Sequence, residues 1–229
     1  MIKKFKVILL VSIFVLTACT NSKGKKTTDK SITNNKQENE IQSTEVEKAT
    51  KAYNEFLENK ISVDGIDMNF ITIPTKEPDR HYATDYALFD SNGDKIPELH
   101  ICSARYYYVL TYRNDKLSIF LNLSPYPQYY ALKNGAFISR LFGAGPQYDS
   151  YCYHIFDYMG NEVWTVTFSK FDKNENGVYD KNDEYMFGGV KVSKKIWEAL
   201  TEQYIYVDED GIEKIRNEIE WTVFYEETT

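Results

Sequence analysis

Between residues 82 and 192 the chain repeats one pattern, and this pattern most narrows the folds open to it. Short runs rich in Tyr, Val, Ile, Phe and Leu alternate with tight turn residues. Runs 82–89 and 98–104 flank an acidic loop, and runs 106–112 and 117–123 meet across Asn114-Asp115. Runs 129–132 and 136–141 meet across Asn134-Gly135, the strongest short hairpin signal because both central residues of that turn tolerate positive φ. Runs 151–158 and 163–171 meet across Gly160-Asn161, and 185–192 adds an edge strand. Consecutive hairpins at this spacing predict an antiparallel meander, either an open sheet or a barrel-like one.

Helical spacing frames the meander. Val46, Ala49, Tyr53, Phe56 and Leu57 fall on one face of a helix over 45–60. Met68, Phe70, Ile71 and Ile73 predict a strand stopped by Pro74 and Pro78. Ser193 caps a helix running to Tyr204, with Ile196, Trp197 and Leu200 on its apolar side. Asp210-Gly211-Ile212-Glu213 has the spacing of a capping box, and Ile212, Ile215 and Ile219 follow on one face. Residues 221–225 finish the domain. The expectation is an α+β domain over 45–229: an antiparallel β-meander with one N-terminal and two C-terminal helices. That length supports one domain with a proper core.

Residues 1–18 read as a targeting segment. Lys3, Lys4 and Lys6 precede an apolar run at 7–16, too short to span a bilayer as a helix. Leu16-Thr17-Ala18-Cys19 resembles the lipobox of bacterial lipoproteins. The resemblance implies cleavage before Cys19 and diacylglycerol on its thiol, making the lipid bilayer a partner. Two acyl chains suffice for stable anchoring where one binds marginally. Residues 20–44 are rich in Lys, Thr, Asn, Ser, Gln and Glu and predict a disordered tether following the lipidated Cys19. A flexible chain of that length spans on the order of 25–30 Å. Loss of 1–18, which holds three lysines and no acid or arginine, takes the formal charge from -7 to -10. An acidic body excludes nucleic acid as a partner, which calls for a basic patch. The expected location is therefore the extracytoplasmic face of the cell membrane.

Two acidic loops carry the metal-binding expectation. The first runs Asp90-Ser91-Asn92-Gly93-Asp94-Lys95-Ile96-Pro97-Glu98, with side-chain oxygens from Asp90, Asn92, Asp94 and Glu98 at positions 1, 3, 5 and 9. Alternate oxygens can turn toward one hard cation such as Ca²⁺, which takes six to eight oxygen ligands. Position 12 is Ile101, so the EF-hand pattern is incomplete; flanked by strands, the loop resembles the calcium loops of FG-GAP-type repeats. It is also similar to the DxDGDGxPEL segments of Gram-positive surface lipoproteins. The second loop places Asp172, Asn174 and Asn176 at positions 1, 3 and 5, Gly177 at 6, the Val178 carbonyl at 7 and Asp183 at 12. It resembles dockerin-type EF-hand loops, which imply calcium; the segment before it reads as a strand. The expected role of calcium is structural.

Other chemistry lacks a motif. His81, His100 and His154 show no zinc spacing, and no G-x-S-x-G elbow marks a nucleophile. Gly143-Ala144-Gly145-Pro146 is too short for a phosphate loop and reads as a surface turn. Cys102 and Cys152 either pair in this exported chain or remain two buried thiols. Tyrosines cluster at 106–108, at 126 with 129–130, and at 148, 151 and 153. Strand alternation puts every other ring in the core, and the rest offer a face for a cell-wall glycan or protein ligand. The function expected is a binding or envelope-associated module and not an enzyme. The alternative is an envelope-polymer hydrolase with Asp85, Glu162 or Glu220 as acid and base.

Overall fold

The computed structural model describes residues 30–124, 128–142 and 148–226. Cys19, the targeting segment, Tyr126 and the 143–146 turn lie outside the described residues. Helix α1 (Lys30–Leu57) and the short α2 (Met68–Thr72) come first. A meander follows through β1 (Thr84–Phe89), β2 (Glu98–Ser103), β3 (Tyr107–Arg113) and β4 (Lys116–Leu123). It continues with β5 (Gln128–Ala131), β6 (Phe137–Phe142), β7 (Tyr148–Phe156) and β8 (Glu162–Phe171). The hairpin β9 (Glu184–Phe187) and β10 (Val190–Val192) precedes α3 (Lys194–Thr201). The chain closes with β11 (Ile205–Val207), β12 (Glu213–Ile215) and β13 (Thr222–Tyr225).

The α+β antiparallel reading holds, and the meander is divided into two open sheets. The first has the order β13-β1-β2-β3-β4 and the second β10-β9-β8-β7-β6-β5. Strand alternation explains how they stack. In β3, Tyr108, Leu110 and Tyr112 face α1 and α2, joining Ala49, Tyr53, Phe56, Met68 and Ile71 in one core. Tyr107 and Val109 face the other way and join Ala87, Leu121, Ala131 and Phe137 between the sheets. The far face of the second sheet buries Ile138, Tyr151, Tyr153 and Phe168 against Trp197 of α3 and Ile205 of β11. Two sheets thus lie between helical layers, and β3 is buried on both faces.

Two contacts fix how the layers meet. The Tyr53 phenol of α1 accepts a hydrogen bond from the Tyr112 backbone N–H of β3 at 3.1 Å. Gly135, in the β5–β6 turn of the second sheet, has φ +80° and lies against the Ser91 carbonyl of the first acidic loop. A Cβ there would stand 2.4 Å from that oxygen, so only glycine allows the two sheets this approach.

Four local expectations are corrected. Helix α1 begins at Lys30, so 30–44, expected as disordered tether, is helical. Its Lys, Gln and Glu residues favour helix, and composition weighed only its shortage of apolar side chains. Residues 68–72 form a helix and not a strand, because Asp67 caps it by accepting the Phe70 N–H at 2.8 Å. The 210–219 segment is no helix: Gly211 (φ +81°) turns the chain and pairs β11 with β12. Gly188 and Gly189, both at positive φ, fold the expected single edge strand into the β9–β10 hairpin. The predicted Ser193 cap is present, accepting from the Ile196 N–H at 3.4 Å. On α3, Trp197 is buried, while Ile196 and Leu200 are exposed.

Candidate functional site

The first acidic loop joins β1 to β2. Asp90 accepts the Gly93 and Lys95 backbone N–H groups at 2.8 and 2.9 Å. Asn92 accepts from Asp94 and Asp94 from Ile96, each at 2.9 Å. Glu98 is fully buried and gathers the loop: one oxygen accepts the Ser91 N–H and hydroxyl, the other the Thr111 hydroxyl and the Asn92 amide. Burial pushes the Glu98 carboxyl up to about 7 against the Ser91 hydrogen bonds. Asp94 already has a cation, since Arg113 pairs with it at 3.0 Å.

The second loop joins β8 to β9 and differs in charge balance. Asp172 accepts the Gly177 N–H at 2.7 Å and the Asn176 N–H at 3.3 Å. Asn174 accepts the Asn176 N–H at 3.1 Å, and Asn176 accepts the Val178 N–H at 2.8 Å. Asp183 reaches back across the loop to the Lys173 N–H at 3.0 Å. Asp172 and Asp183 are both buried, and neither has a cationic partner among the ion pairs of the described residues. Two buried carboxylates without a counter-ion are costly, which sets this loop apart from the first. The donors are oxygens only: two carboxylates, two carboxamides and the Val178 carbonyl. That set suits a hard cation such as calcium and does not suit zinc. Among the described residues no cluster of three or more His, Cys, Asp or Glu side chains is placed to hold a metal. Each loop is closed on itself; the structure does not merge them into one site.

Sequence reasoning missed a pocket beside the second loop. It has a volume of about 680 Å³ and lies between the far face of the second sheet, α3 and the β11–β12 hairpin. Its floor is an ionic network carried by three strands. Arg140 of β6 makes two hydrogen bonds to Asp149 of β7, at 3.1 and 2.9 Å. Lys170 of β8, paired in register with Asp149, lies 3.8 Å from it and also pairs with Glu213 of β12. The Tyr151 hydroxyl donates to Glu213 at 2.7 Å. Lys170 is nearly buried, its ammonium 4.3 Å from the Tyr179 ring centroid and 5.6 Å from that of Trp197. Tyr179 belongs to the second acidic loop, and Lys194 of α3 donates to its carbonyl at 2.6 Å. The calcium candidate and the pocket wall are thus one piece of chain. The sequence signal was single charges inside otherwise apolar strand runs.

A second missed feature is a polar relay on the opposite face of the same sheet. The Ser139 hydroxyl lies 2.7 Å from His154 Nε2, and His154 Nδ1 lies 2.5 Å from Glu162. Burial lowers the His154 pKa, but Cys152 and Glu162 outweigh it and the net shift is upward. The order is that of nucleophile, base and acid. Ser139 is only 4 % exposed, so its hydroxyl is closed to a substrate. Asp85 lies opposite Cys102 in the first sheet, and Glu220 pairs with Lys133 at the surface. With Glu162 on His154, the three candidate acids lie in three different surroundings and are not paired with one another. Cys102 and Cys152 are free thiols, on β2 and β7 of different sheets. The three histidines are dispersed, and His100 is fully buried among Phe89, Tyr107, Phe137 and Trp221. Tyr107, Tyr108, Tyr151 and Tyr153 are core residues.

No helix of the described residues is long and apolar enough to cross a membrane. The sequence matches no protein-family model, and neither a curated protein nor a solved structure matches it.

Proposed function

We propose that this chain is a membrane-anchored surface lipoprotein, held through acylated Cys19, whose calcium-stabilised extracytoplasmic domain acts as a binding or envelope-associated module. The observation that carries the calcium part is the pair of buried carboxylates, Asp172 and Asp183, without a cationic partner among the described ion pairs. Calcium there would be held by Asp172, Asn174, Asn176, Asp183 and the Val178 carbonyl, and would neutralise the loop. In the first loop Asp90, Asn92, Asp94 and Glu98 would hold it, with Arg113 competing for Asp94. The anchor rests on the lipobox-like Leu16-Thr17-Ala18-Cys19. The module reading rests on the pocket and on the absence of a reactive group at its floor, where each charge is spent on another.

The test is thermal unfolding of the chain in EDTA and then in millimolar calcium, alongside Asp172→Ala. A ligand at 100 times its Kd adds about 2.7 kcal/mol, a shift of several degrees for a domain of this size. The wild type should show that shift and Asp172→Ala should show less of it. Equal midpoints with and without calcium would reduce both loops to turns.

A hydrolase acting on envelope polymers is the second reading, favoured by the Ser139–His154–Glu162 relay alone. It ranks below the first because the Ser139 hydroxyl is buried. Release of wall fragments by the wild type, abolished in His154→Ala, would reverse that order.

A further inference from the structure

We infer that Cys152 is a thiol-exchange site, which attacks low-molecular-weight disulfides and carries the resulting mixed disulfide. The inference needs neither the lipid anchor nor calcium.

Strand register assembles the site. Cys152 of β7 pairs with Ser139 of β6 on one side and Thr167 of β8 on the other. The Thr167 hydroxyl donates to the Cys152 sulfur at 3.6 Å. His154 lies two residues along β7 and so shares the face of Cys152. Its ring is held by Ser139 at 2.7 Å and by Glu162 at 2.5 Å, and the Glu162 carboxylate favours its charged form. Burial raises the Cys152 thiol pKa, but His154 and Thr167 outweigh it and the net shift is downward. Tyr129, 5.4 Å from the His154 ring, has its phenol raised by burial and stays neutral. A half-buried thiol beside an imidazolium and a hydroxyl donor is the setting of a reactive thiolate. Cys102 is the contrast within the chain: burial pushes its thiol up to about 11, and it lies on β2 of the other sheet.

The surroundings choose the chemistry. Strand β7 lies between β6 and β8, so ladder bonds occupy the backbone N–H groups beside Cys152 and none remains to hold an oxyanion. Acyl transfer lacks that support, whereas thiol–disulfide exchange needs a thiolate and access. Access comes from the β8 side, where Thr165 and Thr167 are exposed. A hollow of about 500 Å³, lined by Tyr148, Thr167, Phe171 and Met186, adjoins the thiol there and has room for the rest of a small disulfide. The Cys152 sulfur bonds to one sulfur of that disulfide as the old S–S bond breaks, and the departing thiolate takes a proton from the His154 imidazolium. Cys152 is oxidised, and half of the disulfide is reduced to a thiol.

The experiment treats the full chain carrying Cys19→Ala with hydroxyethyl disulfide, a neutral probe, and locates the adduct by peptide-mapping mass spectrometry. At neutral pH the native chain should gain one adduct, on Cys152, while Cys102 reacts only in urea. Thr167→Val, which keeps the side-chain shape and loses the donor, should slow the reaction about two- to tenfold, the worth of one hydrogen bond. Glu162→Gln should move the rise of rate with pH toward the ordinary thiol range. Circular dichroism checks that both variants keep the fold. No adduct on Cys152 in the native chain, equal labelling of Cys102, or a rate indifferent to both substitutions would overturn the inference.

Discussion

The Asp183 carboxylate closes its loop from both directions: one oxygen accepts the Lys173 N–H at 3.0 Å and the other the Asp180 N–H at 2.6 Å. The position-12 acid therefore has a structural task even without an ion, drawing together the end of β8 and the start of β9. Tyr185 adds to this by donating to the Asp180 carbonyl at 3.0 Å. The loop is shaped by its own hydrogen bonds, and its remaining lone pairs are what a cation would use.

Asp183→Ala should remove both closures and one calcium. In EDTA it should cost about 1.5–3 kcal/mol, the range for hydrogen bonds to a charged acceptor. In calcium the deficit should widen, since the variant forgoes the ion's contribution. Isothermal titration calorimetry checks the stoichiometry; an unchanged count would take this loop off the calcium assignment.

Lys170→Met should destabilise the fold by about 3 kcal/mol, because Asp149 would stay buried and Glu213 half-buried with part of their compensation gone. Urea denaturation measures it. A loss below about 1 kcal/mol would show that water reaches the pocket floor and screens the network.

Gly135→Ala should cost at least about 2 kcal/mol, combining left-handed strain with displacement of Ser91. Gly65→Ala, at a similar φ but with open space around it, isolates the strain alone. The difference between the two variants in chemical denaturation reads the inter-sheet contact directly, and equal losses would mean the sheets give way there.

The His154–Glu162 pair sets a pH dependence. The folded-state pKa of His154 is raised above its ordinary 6.5, where burial opposes and Cys152 and Glu162 prevail. Its contribution to stability is complete below that ordinary value and is lost as pH rises through the higher folded one. The stability gap between wild type and Glu162→Gln should therefore shrink as pH rises above the ordinary histidine value of about 6.5. Unfolding free energies across that rise check the sign; a gap that grows with pH would contradict the pairing.

On the proposal of an acylated Cys19, Cys19→Ala should move the protein from the membrane fraction to the soluble one, because no acyl chain would then hold it. Fractionation with an antibody to the domain is sufficient. Retention in the membrane would remove the lipid anchor from the proposal.

Short-range chemistry was legible and long-range chemistry was not. The hairpins at Asn114-Asp115, Asn134-Gly135 and Gly160-Asn161 follow from alternation and turn residues, all local properties. The face of α1 carrying Ala49, Tyr53 and Phe56 was readable from its 3.6-residue period. The same logic misread 210–219, where isoleucines at helical spacing lie in and beside a hairpin that Gly211 turns. There a backbone φ and pairing across sequence outweigh periodicity.

From sequence alone came the antiparallel α+β class, the two acidic loops with their oxygen spacing, and the lipobox-like segment. Each is written in consecutive residues, because turns, cation loops and targeting segments act over a few positions. Tertiary structure alone decided the division into two sheets, the pocket floor of Arg140, Asp149, Lys170 and Glu213, and the contrast between the loops. Arg113 compensates Asp94 while no described ion pair reaches Asp172 or Asp183, a difference set by which strand packs beside which. Ion pairing and desolvation depend on distances between side chains far apart in sequence, and those distances exist only once the strands are registered and the layers stacked.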